Sequence, residues 1–310
     1  MLKKTIFITL TAVLLFPAIS LAADEPLSHT EEIEAYRERR ETGLRRPSGW
    51  LTLVGLHWLE PGENSIGSAK DNDIVLAGGA EYWGTVSVNE DQLQFTGIEG
   101  NDVIYADGTA NGGPLVADTQ GDATVVHSDT FMFHVIDRDS FALRVKNSEA
   151  PARLSFEGLD YFPINSDWRI EADMERAEPG TVLPIGNVLG QLSDAPVYGT
   201  AIFSVDGKEH RLVALEEGTE LLFFILADRT SGRETYGAGR FLYTGLPEDG
   251  KLIIDFNKVY NPPCAFNDYS TCPLPPPENR LDLRITAGEL DFHAPGLKRY
   301  GDSPAETGSR

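Results

Sequence analysis

Cysteine is almost missing from this chain. The 310 residues hold two, Cys264 and Cys272, which excludes a disulfide-stapled miniprotein and any Cys-rich zinc module. Histidine is sparse too. The six, His29, His57, His127, His134, His210 and His293, form no HxH or HExxH spacing, so no metal is expected, with a site shared by His127 and His134 as the alternative. Basic residues are outnumbered, 26 Lys and Arg against 48 Asp and Glu, giving a formal net charge of −22. Nucleic acid and anionic lipid surfaces recruit Lys and Arg clusters, so neither is an expected partner. No G-x-S-x-G elbow, Walker loop or dinucleotide fingerprint is present, and no cofactor is implied.

What is present begins with a cationic-then-apolar N-terminus. Lys3 and Lys4 precede an apolar run from about Thr5 to Ile19, followed by Ser20-Leu21-Ala22. The run is shorter than the roughly 20 residues of a membrane span, and Ser20 and Ala22 supply the small side chains of a signal-peptidase site. We read residues 1–22 as a secretory signal peptide cleaved after Ala22, and the protein as exported, periplasmic or secreted, with no membrane span after cleavage.

Residues 23–48 read as a helical segment. Ser28 or Thr30 serves as N-cap and acids fill the first turn, while Ile33, Tyr36 and Arg40 follow helical spacing with a thin apolar stripe suited to a surface helix. Beyond Pro47 the pattern changes to short apolar-polar alternations separated by Gly, Asn and Asp, through the run TFMFHVIDR-DS-FALRVKN, which reads as a hairpin. The expected fold is all-β and mainly antiparallel. It comprises a β-sandwich over 49–150, a second β-sheet or barrel unit over 151–294 and a flexible polar tail over 295–310. Leu221 to Leu226, apolar on both faces, suits a strand inside that second sheet.

The densest chemistry lies in 255–284, DFNKVYNPPCAFNDYSTCPLPPPENRLDLR, where six prolines stiffen a loop rich in Asn and Tyr. In an oxidising compartment Cys264 and Cys272 are natural disulfide partners, with two free thiols the alternative. Upstream, DRTSGRETYGAGRFLY sets Arg233, Glu234, Tyr236 and Arg240 beside glycines. If 234–242 is extended, Glu234, Tyr236 and Arg240 share one face. An arginine fork there would hold a carboxylate or phosphate, or else pair with Glu234 to close a hairpin. Asn257, Tyr260 and Asn261 either join such a pocket or satisfy backbone groups around the prolines.

Four blocks resemble the DUF1684 family, bacterial and archaeal proteins of unknown function: GWLTLVGLHWLEPGENSIGSAKDNDIVL, LRVKNSEAPARLSFEGLDYFP, DRTSGRETYGAGRFLY and DFNKVYNPPCAFNDYSTCPLPPPENRL. The resemblance spans about 49–300 and implies a shared fold and site, but no activity. A weaker likeness to a forkhead-associated sandwich lies in LEPGENSIGSAKDNDIVL. Such domains read phosphothreonine through an Arg that here is replaced by Ser68, so phosphopeptide binding is not implied.

The expected function is binding of a small polar or anionic ligand in a pocket lined by Arg233, Glu234, Tyr236, Arg240, Asn257, Tyr260 and Asn261. One alternative is an envelope hydrolase with Glu234 or Glu278 as general base and Arg240 stabilising an oxyanion. Another is a scaffold role. Oligomeric state is not legible from the sequence.

Overall fold

Ser28 opens the first helix through a capping box, its hydroxyl accepting from the Glu31 amide while the Glu31 carboxylate accepts from the Ser28 amide at 2.8 Å. The structure, a computed structural model, describes residues 27–292 apart from 91, 107, 109, 110 and 219. The signal-peptide reading, the tail at 295–310 and His293 lie outside the described residues. Helix α1, His29–Leu44, buries Ile33 and Leu44 against the body and leaves its acidic flank in solvent.

After a single 3-10 turn at Trp50–Thr52, ten strands build the first unit: β1 (Leu53–Trp58), β2 (Gly62–Gly67), β3 (Ile74–Val75), β4 (Gly84–Asn89), β5 (Gln92–Gly97), β6 (Val103–Tyr105), β7 (Gly112–Pro114), β8 (Val125–Ser128), β9 (Phe131–Asp137) and β10 (Phe141–Asn147). They form two five-stranded sheets, ordered β1-β10-β9-β8-β6 and β3-β2-β4-β5-β7. Among the described residues of this unit, only β2 and β3 pair in parallel. Alternation decides the faces: Phe133 and Val135 on β9, with Leu143 and Val145 on β10, point between the sheets, where Trp83 and Phe95 complete the core. Arg144, directly opposite His134 in the ladder, therefore lies on the outer face.

A short helix α2, Pro151–Leu154, leads to the second unit: β11 (Arg169–Arg176), β12 (Val182–Gly186), β13 (Leu192–Val205), β14 (Lys208–Glu217), β15 (Leu221–Leu226), β16 (Arg240–Thr244) and β17 (Lys251–Asp255). The sheet runs β16-β15-β14-β13-β11-β17, with β12 pairing the first half of β13. Its end strands β16 and β17 approach one another, curling the sheet toward a barrel. Both β16 and β14 flank β15, so its two-sided apolar sequence is buried from Leu222 to Leu226. The fold is thus all-β and antiparallel in the main, a sandwich followed by a second sheet, with one N-terminal helix on the surface.

Among the described residues, the chain beyond β17 seals this sheet with three 3-10 turns and no further strand. Asn279 shows how: its amide accepts from the Val213 N–H at 2.7 Å and donates to the Val213 carbonyl at 3.0 Å, acting as a one-residue strand against β14. Leu281, Ile285 and Ala287 then enter the core beside Leu226 and Leu242.

Candidate functional site

Residues 229–239 are not extended. Thr230 and Thr235 close a turn on themselves, and β16 begins only at Arg240, so Glu234, Tyr236 and Arg240 do not share a strand face. The reason is Gly239, at φ +95°, where a Cβ would lie 2.4 Å from Pro275 and 2.7 Å from the Leu226 carbonyl. Only glycine lets the proline-rich loop reach β16 here. The two segments do meet: Phe241 and Tyr260 exchange backbone hydrogen bonds at 2.8 and 2.9 Å, and the Tyr236 hydroxyl donates to the Cys264 carbonyl at 3.1 Å. Cys264 and Cys272 are bridged, with Cα atoms 6.1 Å apart.

Most of the residues named from sequence serve this junction. Arg240, 1 % exposed, donates to the carbonyls of Ala287, Glu289 and Ile285 at 2.7, 3.2 and 3.3 Å and faces Asp228 at 3.6 Å. Its charge is wholly consumed. Asn257 joins Asp255 to Asn165. Asn261 donates to the Leu290 carbonyl at 2.7 Å, and its own amide N–H donates to Glu289. Arg233 and Glu278 are exposed, and Glu234 is ion-paired with Arg284. Of the set, Tyr260 lines a large cavity.

That cavity is a cleft of about 660 Å³ where the helix, the sandwich and the second sheet converge. Helix α1 contributes Tyr36 and Arg40, the 3-10 turn Trp50, the β9–β10 turn Arg138, and the second unit Glu217, Phe223, Phe241, Tyr243 and Tyr260. Trp50, Arg138, Phe241, Pro263 and Pro273 also wall a smaller recess of about 140 Å³, closed by Arg144, Ser270, Thr271 and Cys272. The disulfide loop is therefore the wall that divides and supports both.

Charge in the cleft is uneven. Arg40 is neutralised by Glu289, which accepts from its Nε at 2.9 Å, and lies over the Tyr260 ring at 4.7 Å. Arg138 is neutralised by a two-pronged contact with Asp118 at 2.8 and 3.0 Å. Arg144 has no such partner. It is 6 % exposed, makes no ion pair among the described residues, and its Nε has no hydrogen-bond acceptor. Its contacts are a 3.4 Å hydrogen bond from Nη2 to Thr271 and the Trp50 ring at 5.6 Å. Burial, aided by the Arg138 charge, pulls its pKa down to about 10.

The neighbours repeat the pattern. Burial, with Lys146 and Arg144 alongside, drives His134 down to about 4, and burial beside Arg144 lowers Lys146. Thr271 Oγ accepts from both Arg138 Nε, at 3.3 Å, and Arg144 Nη2. With both lone pairs engaged, its hydroxyl proton is left to donate into the recess. The arrangement can hold an anionic group between a guanidinium and a hydroxyl, with aromatic surface beside it. No group of three or more metal-ligating side chains occurs among the described residues, and no helix there is long and apolar enough to cross a membrane.

Sequence reasoning passed over Arg144 because LRVKN alternates perfectly, making Arg144 and Lys146 look like an ordinary solvated face. A hint was available: that face carries two cations and no acid.

Residues 154–290 match the family model described as "Protein of unknown function (DUF1684)". The forkhead-associated likeness at 59–76 gains no support. A solution NMR structure of an uncharacterized protein of Haloarcula marismortui is 33% identical, covering 44% of this chain and 78% of that one, with a TM-score of 0.37. No curated protein matches. By the match over residues 154–290, the chain belongs to the DUF1684 family.

Proposed function

We propose that the protein is an exported binder of a small anionic ligand, and that the ligand's charge sits on Arg144 in the recess between the sandwich and the disulfide loop. The observation that carries this reading is a buried guanidinium that forms no ion pair among the described residues and whose Nε has no acceptor, the nearby Asp118 charge offsetting only part of its burial. Desolvating a cation costs several kcal/mol unless an anion or a full set of acceptors compensates. Asp118, Glu289 and Asp228 pair directly with Arg138, Arg40 and Arg240, whereas Arg144, the most buried arginine without an ion pair among the described residues, does not. A carboxylate or phosphate oxygen supplied by a ligand would complete the site, with the Thr271 hydroxyl as second donor.

The hydrolase alternative finds less support. Glu234 is held by Arg284, Glu278 is exposed, and Arg240 is enclosed among carbonyls, so no candidate base stands beside an available oxyanion donor.

Calorimetric titration with short-chain carboxylates and inorganic phosphate tests the proposal. Wild-type protein is expected to bind at least one of them, and Arg144→Met to lose that binding while remaining folded. Absence of binding to any of these anions, or equal binding by Arg144→Met, would overturn it.

A further inference from the structure

The cleft has a second pole. Arg144 and Thr271 border the small recess and not the larger cavity, whereas Glu217, Phe223 and Tyr243 border the larger cavity and not the recess, and Phe241 borders both. A line from the recess along β16 thus runs from a cation, past Phe241, to Tyr243 and a carboxylate. Phe223 and Tyr243 stack with centroids 4.7 Å apart, Tyr243 faces Tyr260 at 6.4 Å, and Phe223 meets Phe241 edge-on at 5.0 Å. Glu217 is exposed, makes no ion pair among the described residues, and lies close enough to Tyr243 to help burial push that hydroxyl's pKa up.

Aromatic faces beside an unpaired carboxylate are the chemistry that recognises an ammonium group. We infer that the ligand is a zwitterion, its anion on Arg144 and its ammonium over the Tyr243–Phe223 surface beside Glu217. The inference rests on the anion site proposed above. Phe241 and Tyr243 are two residues apart on β16, about 7 Å by strand geometry, and we take that spacing as the scale of the ligand's charge separation. An ω-amino carboxylate with a chain of five methylenes, 6-aminohexanoate, has this reach. Heptanoate has the same shape, with a methyl in place of the ammonium.

Both compounds are titrated calorimetrically into the intact, oxidised protein and its Glu217→Gln and Arg144→Met variants. Wild-type protein is expected to bind 6-aminohexanoate about 5- to 30-fold more tightly than heptanoate. Glu217→Gln, a change at an exposed position, should remove most of that ratio and leave heptanoate binding unchanged. Heptanoate binding as tightly as 6-aminohexanoate, lost in Arg144→Met but indifferent to Glu217→Gln, would overturn the zwitterion and leave the anion site standing. Binding of 6-aminohexanoate that depends on Glu217 but not on Arg144 would overturn the anion site and, with it, the paired assignment. Absence of binding by either compound would overturn both.

Discussion

Replacing Arg144 by methionine separates a group kept for a ligand from one kept for the fold. Methionine follows the arginine stem in shape but carries no charge to desolvate. Burial and Arg138 bring the Arg144 pKa to about 10, and at about 1.4 kcal/mol per pH unit the buried charge is disfavoured by roughly 3 kcal/mol. Against that relief stand the Trp50 contact at 5.6 Å and the 3.4 Å bond to Thr271, together worth about 1 to 2 kcal/mol. The balance is a gain of about 1 to 2 kcal/mol, or roughly 1.5 to 3 °C in melting temperature for a chain of this size. Differential scanning calorimetry of ligand-free protein reads it directly. Arg138→Met is the control: it strands Asp118 and should lower the melting temperature. A fall of several degrees in Arg144→Met would refute the reasoning, because it would make Arg144 a structural group.

Other consequences follow from the same geometry. His134 titrates near 4 in the fold against about 6.5 unfolded, so the unfolded chain binds the proton first. The stability it permits is full above about pH 6.5 and is lost as pH falls toward 4, by roughly 3 kcal/mol, and His134→Gln should flatten urea-denaturation stability across that window. Replacing Cys264 and Cys272 together by serine opens the loop between them and should cost about 2.5 kcal/mol; because that loop walls both cavities, anion binding should weaken as well, measured by the same calorimetric titration. Arg240→Met leaves Asp228 buried and uncompensated and strips three carbonyls of a donor, so a loss of about 3 to 5 kcal/mol is expected in chemical denaturation, and unchanged stability would contradict its structural role.

Strand alternation made the fold legible, because the period-2 pattern at β10 states which face is buried before any partner is known, and the two-sided apolar run at β15 marks a strand inside the sheet. The Ser28 cap and the Asp139-Ser140 turn were equally local signals. The site was less legible. Arginines at 233 and 240, tyrosine at 236 and the asparagines at 257 and 261 cluster along the chain, yet long-range packing decides their use. Arg240 ends among carbonyls of 285–289, and Asn257 against Asn165, partners distant in sequence. Conversely, Arg144 resembles a solvated strand residue until the disulfide loop covers it. Tyr260 belongs to both accounts because the proline-braced loop that made it conspicuous also forms the cleft wall.

The most direct test is to observe Arg144 itself. With 15N-labelled arginine side chains, the Arg144 Nε–H resonance is followed as a short carboxylate or phosphate is added, Arg144→Met providing its assignment. The account expects that resonance to shift and saturate with the anion, while that of Arg240, already bonded to carbonyls, stays fixed. A stationary Arg144 signal at anion concentrations that shift exposed arginines such as Arg233 would contradict it.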